Sequence, residues 1–306
     1  VSRRRLHEFK KRKEIDMREL LWCGLFTLLV LGIFFGFVFR GWPTEPDSCI
    51  PKEDLKKQVS VKNSCYCEPF NVQEVVKNEG GVRQPFNTFS NFYVLGTGSV
   101  LTFLLWRQRR KREDSNDPEV RHPTKDKNRF RIGNFYPITY CLVLIFLGLG
   151  SMFFHASITH FGGTFDNMSM YPLTNFLIFY TIVRLTGKDM IFYIGFPVAT
   201  LLCLIPAVLA AHLSSLIILL FSVTTYAVLE LLVTVYKPEV RIEKRFMWLW
   251  FAAIGSFAVA VLFWAFSDTG GALCVPAHNF QYHGVWHWFS GAMAMLLYFY
   301  WKKARV

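Results

Sequence analysis

Three histidines, one serine and one aspartate in this sequence have the types and spacing of a metal-assisted hydrolase. His283 and His287 are four apart in His283-Gly284-Val285-Trp286-His287, so on a helix they project from one face, one turn from each other. Ser151 and His155 repeat that spacing, and Asp166 follows eleven residues after His155, beyond a stretch with Gly162 and Gly163 that reads as a turn. Three neutral imidazoles with an open fourth position make a catalytic zinc site, in which the pKa of a water falls to about 7. His155, His283 and His287 are the expected ligands. Gly284 stands where an H-E-x-x-H helix carries its glutamate, so that helix has no general base. Asp166 is the acid closest in sequence and is suited to moving a proton, while Ser151 can hydrogen-bond the attacking water or a developing oxyanion.

Such a site exists only if folding brings two distant stretches together, and the composition says what kind of fold does so. Hydrophobic residues make up 52% of the 306 residues, and several uncharged apolar runs reach the length of a spanning helix, about 20 residues. The sequence therefore reads as an all-α, polytopic membrane protein. The net charge of +12 would fit nucleic acid only if the basic residues gathered on one folded face. They sit instead at the ends of apolar runs, which is the pattern of membrane orientation, and a nucleic-acid partner is not expected.

Eight spans are expected. The first, Leu20 to Phe39, is too long for a signal-peptide core and reads as a retained anchor behind a basic tail, so residues 1–40 form one unit. Residues 41–86 form an extramembrane segment with Cys49, Cys65 and Cys67. Residues 87–301 then hold the remaining spans, at 87–106, 135–155, 169–183, 190–211, 214–236, 246–266 and 284–301. A basic loop at 107–133 lies within that unit, and a basic tail at 302–306 follows it.

Eight crossings put 27 of the 34 basic residues on the side of the amino end, and the other seven all fall in 40–86. That asymmetry predicts a cytosolic, or matrix, amino terminus. Span three then ends at His155 on the outer side, where span eight begins at His283, so all five candidate residues share one end of the bundle. Cys49, Cys65, Cys67 and Cys274 share it too, and a bridge from Cys274 to one of the other three is expected to clamp a lid over the site. Asn167-Met168-Ser169 matches a glycosylation acceptor but is expected to form part of the site's wall. Glu230, inside a span, is expected either to be functional or to pair with a cation such as Arg184.

These residues resemble the alkaline ceramidases and the wider superfamily of adiponectin-receptor-like membrane hydrolases, over roughly residues 65–301. The G-x-G-S-x-x-F-H segment of the family is matched by Gly148, Gly150, Ser151, Phe154 and His155, and its following aspartate by Asp166. H-x-x-W-H is matched by His283, Trp286 and His287, and Cys67-Glu68 and Asn87-Thr88-Phe89-Ser90-Asn91 look like its first-span motifs. The resemblance implies a seven-helix hydrolase bundle, here with one additional amino-terminal helix, and zinc as cofactor. Its calcium site is in doubt, because Pro69-Phe70 follows Glu68 and Gln84 stands in place of a glutamate, whereas such ions want six or more oxygen ligands.

The implied activity is cleavage of a long-chain N-acyl sphingoid lipid to a free amine and a fatty acid. Hydrolysis of an ester in a phospholipid or lipid anchor is the first alternative, and a non-catalytic receptor or accessory subunit of a membrane complex is the second. The expected partner is a membrane lipid, with protein partners in a membrane complex also open. The expected location is the endomembrane system or plasma membrane with the site facing the lumen or exterior, or alternatively the mitochondrial inner membrane.

Overall fold

A computed structural model describes residue 21 and residues 24–42, 45–47, 49–50, 66–117, 120, 128–132, 135–209, 213–237 and 242–303. The basic stretch 1–19, Cys23, Cys65, much of the basic loop and residues 304–306 lie outside these. Among the described residues regular structure is helical, and β pairing is confined to isolated bridges such as Pro46 with Thr159. In chain order the helices are α1 (Gly24–Arg40), α2 (Val72–Val76), α3 (Pro85–Ser90), α4 (Phe92–Glu113), α5 (Arg129–Ile132) and α6 (Phe135–Ser157). They continue with α7 (His160–Thr186), α8 (Asp189–Leu209), α9 (Leu213–Tyr236), α10 (Met247–Phe266) and α11 (His283–Lys302).

The expected spans fall on these helices. Pro85–Glu113, Phe135–Ser157, Ile217–Tyr236 and Lys244–Phe266 are long and apolar enough to cross a membrane, and Gly24–Arg40 and Asp189–Cys203 are shorter apolar helices. Four to six helices are thus suited to a bilayer. The long helices α7 and α11 are more polar because they carry the candidate site.

One boundary differs from expectation. Gly162 and Gly163 do not form a turn before Asp166; they lie inside α7, which begins at His160. The reversal falls earlier, at Ile158, whose φ is +49°. Thr159 then caps the helix, its hydroxyl accepting from Gly162 N at 3.2 Å. Asp166 therefore sits two turns into a rigid helix.

Helix α7 is central, packing against α6, α8 and α9, while α11 packs against α10, α4 and α3. The end of the bundle away from the histidines is filled by aromatic rings, with Phe130, Tyr180 and Trp301 within 5.2–5.4 Å of one another by centroid. Offset and edge-on ring pairs at such distances each add about 0.5–1.5 kcal/mol beyond area burial. Glu230 lies at this end and takes its expected alternative: Arg184 Nη1 donates to its two oxygens at 2.7 and 2.6 Å, and the Tyr300 hydroxyl donates at 2.7 Å. Near the other end α1 is anchored through Phe34, which meets Trp42 at 5.8 Å and Phe153 at 5.3 Å by centroid.

Candidate metal centre

Helix α6 carries Ser151 and His155 toward its carboxyl end, where a helix leaves carbonyls unpaired. The cysteine-bearing segment supplies the donors. Gln84 N donates to the His155 carbonyl and Arg83 N to that of Ala156, both at 3.0 Å, and Asp47 N donates to Ile158 at 3.1 Å. The segment ahead of α4 is thereby fixed across the end of α6, beside His155. Arg83 is itself buried, and burial lowers its pKa against the raising influence of Glu74, whose carboxylate accepts from it at 2.6 Å.

Two glycines let the remaining elements come close. A Cβ on Gly150 would stand 2.5 Å from the Ser169 side chain and 3.0 Å from the Phe165 carbonyl, so α6 and α7 touch there and Ser151 meets Asp166. A Cβ on Gly284 would overlap the ring of Phe86 and stand 3.1 Å from Ser90, so α11 lies directly against α3 with His283 and His287 on either side of the contact.

Four of the five predicted residues, Ser151, Asp166, His283 and His287, line one cavity, and His155 packs against its two histidines. The imidazoles of His155, His283 and His287 form a triangle with centroid separations of 5.1, 5.2 and 5.0 Å. One nitrogen from each lies within 4.8 Å of the others, and all three residues are buried. The hydrogen-bond network assigns the tautomers of His287 and His155. The Ser90 hydroxyl donates to the Asn87 carbonyl at 2.8 Å, so it accepts from His287 Nδ1 at 2.6 Å and leaves Nε2 as a lone pair. Gln84 Nε2 donates to the Glu68 carbonyl at 2.8 Å, which turns its Oε1 toward His155 Nδ1, also at 2.8 Å. His155 Nε2 is then an acceptor, and it is buried with no partner, as is His283 Nδ1. Unmet buried lone pairs converging on one point are costly in a fold unless something binds them, and three imidazoles are a donor set for a divalent transition metal. The site fits a metal ion.

Ser151 lies one turn from His155, its hydroxyl 3.4 Å from His287 Nε2, and Asp166 lines the same space from α7. This cavity has a volume of about 360 Å³. Its lining includes Tyr66, Asp268 and Thr269 as well as Leu177, Val223 and Met293. Along α7, Asp166 and Leu177 are separated by about 16 Å of helix rise. Asn167 is part of the wall, as its sequence position implied. His160 and His278 do not join the cluster.

Glu68 and Gln84 have duties in the fold. The Glu68 carboxylate accepts from Phe86 N at 2.7 Å and from Asn87 N at 2.8 Å, capping α3. Burial raises its pKa, and those two N–H bonds oppose the rise. Gln84 orients His155. The expected clamp is present as a disulfide between Cys67 and Cys274, with Cα atoms 5.2 Å apart. Cys49 is oxidised as well, and Cys141 and Cys203 form no disulfide.

Three contributors were not picked out by type and spacing. Gln84 and Ser90 act on the histidines through hydrogen bonds to residues far away in sequence, a role that no spacing in the chain marks. Tyr66 stacks on His283 with centroids 3.8 Å apart, and a hint did exist, since it adjoins one of the cysteines expected to bridge toward Cys274. Burial first, then the Asp166 and Asp268 carboxylates, push the Tyr66 hydroxyl well above the ordinary phenol range, so it stays protonated.

No curated protein matches this chain significantly. A ceramidase family profile does match, over residues 82–306, which takes in Ser151, His155, Asp166, His283 and His287. With nearly three quarters of its length aligned to that profile and the histidine triangle inside the aligned part, the chain belongs to the ceramidase family.

Proposed function

We propose that this protein is a zinc-dependent lipid amidase of ceramidase type, which cleaves a long-chain N-acyl sphingoid lipid into a free amine and a fatty acid. The observation that carries this reading is the buried triangle of His155, His283 and His287, set against a cavity that apolar side chains also line. Zinc held by the three imidazoles supplies a water acidic enough to act as nucleophile near neutral pH.

The chain's own residues do the rest. The acyl chain lies against Leu177, Val223 and Met293, which places its carbonyl at the level of Ser151. Water oxygen bonds to the carbonyl carbon, and the Ser151 hydroxyl donates to the oxygen on which charge develops. Asp166 takes the proton lost by the water and delivers it to the departing nitrogen as the C–N bond breaks, so no net charge is created. Eight crossings, with the amino end cytosolic and the site opening to the lumen or exterior, complete the proposal; the distribution of basic residues supports it.

Metal analysis of the purified full-length chain, paired with product analysis on an amide lipid and its ester analogue, tests the reading. Expected are one zinc per chain, loss of zinc in His283→Ala/His287→Ala, and amine release in preference to alcohol release. Wild type without zinc, or zinc retained in the double variant, would sink the site; ester cleavage alone would move the reaction to lipid esters.

A further inference from the structure

The segment ahead of residue 82 lies outside the family match, yet it supplies the ring closest to one of the three histidines. Two of those histidines have their rings set by hydrogen bonds, His155 by Gln84 and His287 by Ser90. Among the described residues no side-chain hydrogen bond reaches His283, and its Nδ1 is buried without a partner. What fixes that imidazole is Tyr66, whose ring lies over it at 3.8 Å with the planes 29° apart, and which also stands 5.1 Å from His155.

Tyr66 is in turn held. Its φ of +68° lies in the left-handed region, which a tyrosine occupies only where its surroundings impose it. The next residue, Cys67, is bonded to Cys274 in the loop that leads into His283. Glu68 follows, capping α3 and receiving the amide of Gln84. Three consecutive residues thus each bear on the histidines: Tyr66 on His283 directly, Cys67 on the approach to it, and Glu68 on His155 through Gln84.

We propose that Tyr66 is a positioning residue of the metal site, its ring fixing the orientation of the His283 imidazole in the triangle, and that the Cys67–Cys274 disulfide supports metal binding by holding Tyr66 in place. The proposal rests on the zinc-hydrolase reading. Outer partners that orient a ligating histidine typically account for 10- to 100-fold in metal affinity, and the same scale is expected here.

The test is zinc affinity of the full chain by chelator competition, with the visible spectrum of the cobalt-substituted protein as a report on ligand geometry. Tyr66→Leu should weaken zinc by roughly 10- to 100-fold and alter the cobalt spectrum, whereas Tyr66→Phe, which keeps the ring, should stay within about threefold of wild type. Cys67→Ser/Cys274→Ser should lose affinity to a similar extent, and Tyr66→Leu added to it should cost little more, because both act through one contact. Wild-type affinity in Tyr66→Leu, an equal loss in Tyr66→Phe, or full additivity with the cysteine pair overturns the proposal. Should the leucine variant not fold, the cysteine pair decides, and unchanged zinc affinity there overturns it. Tight zinc binding without amide cleavage would defeat the functional reading and leave the role of Tyr66 standing; a wild type that binds no zinc removes both.

Discussion

Two clusters of polar side chains are buried in this bundle, one at each end, and they differ in how their demands are met. At one end Arg184 and Glu230, 6% and 1% exposed, answer each other's charge, with Tyr300 donating a further hydrogen bond to the carboxylate. At the other end the hydrogen bonds around His155 and His287 turn ring nitrogens toward a common centre, where His155 Nε2 and His283 Nδ1 find no partner in the protein. The first cluster pairs opposite charges and ties α7, α9 and α11 together. The second is built to be completed from outside. Burial of polar groups alone does not mark a functional site; convergent, unmet lone pairs do.

This contrast can be broken by experiment, and the largest effect belongs to the histidines. In His283→Ala/His287→Ala, zinc content and amide hydrolysis should both fall to background, while the melting temperature of the metal-free protein in micelles changes less than in variants of the ion pair. Glu230→Ala should do the reverse. It leaves the Arg184 guanidinium buried without its counter-charge, a loss of about 3–5 kcal/mol, read as a lower melting temperature with zinc content unchanged in the folded fraction. Replacing both partners, Arg184→Met with Glu230→Met, should recover much of that loss. If Glu230→Ala abolished turnover in fully folded protein, the charge-paired cluster would not be merely structural.

Smaller effects sharpen the picture within the histidine end. Ser151→Ala should keep its zinc and lose roughly 10²–10³ in kcat, the usual effect of one lost oxyanion donor. Gln84→Leu removes the acceptor for His155 Nδ1–H and should weaken zinc by about 10- to 100-fold, measured by chelator competition. Gln84→Glu retains an acceptor and should lose less, so equal losses in the two variants would place the role of Gln84 elsewhere.

Much of the fold and the core of the site was legible in the sequence because both depend on local pattern. Apolar runs of spanning length and the four-residue spacings of Ser151 to His155 and His283 to His287 are set by residues adjacent in the chain. The sorting of histidines and cysteines to one end followed from counting crossings. The turn before Asp166 was misplaced because two glycines read locally as a breaker, whereas in the fold they sit within α7, where a Cβ on Gly163 would run into Asp47 and one on Gly162 into Ser157. The ambiguity of Glu230 was resolved only by Arg184, 46 residues away.

By itself, then, the sequence determined the helical membrane-type class and the five residues that the fold brings together, since helical periodicity and apolar runs are written residue by residue. Tertiary structure alone decided which nitrogen His155 and His287 present, that Cys67 is the partner of Cys274, and that Tyr66 covers His283. These depend on Ser90 meeting a residue 197 positions on, on Gln84 meeting one 71 positions on, and on a bridge across 207 residues. Contacts of that span arise only from packing, and no local rule encodes them.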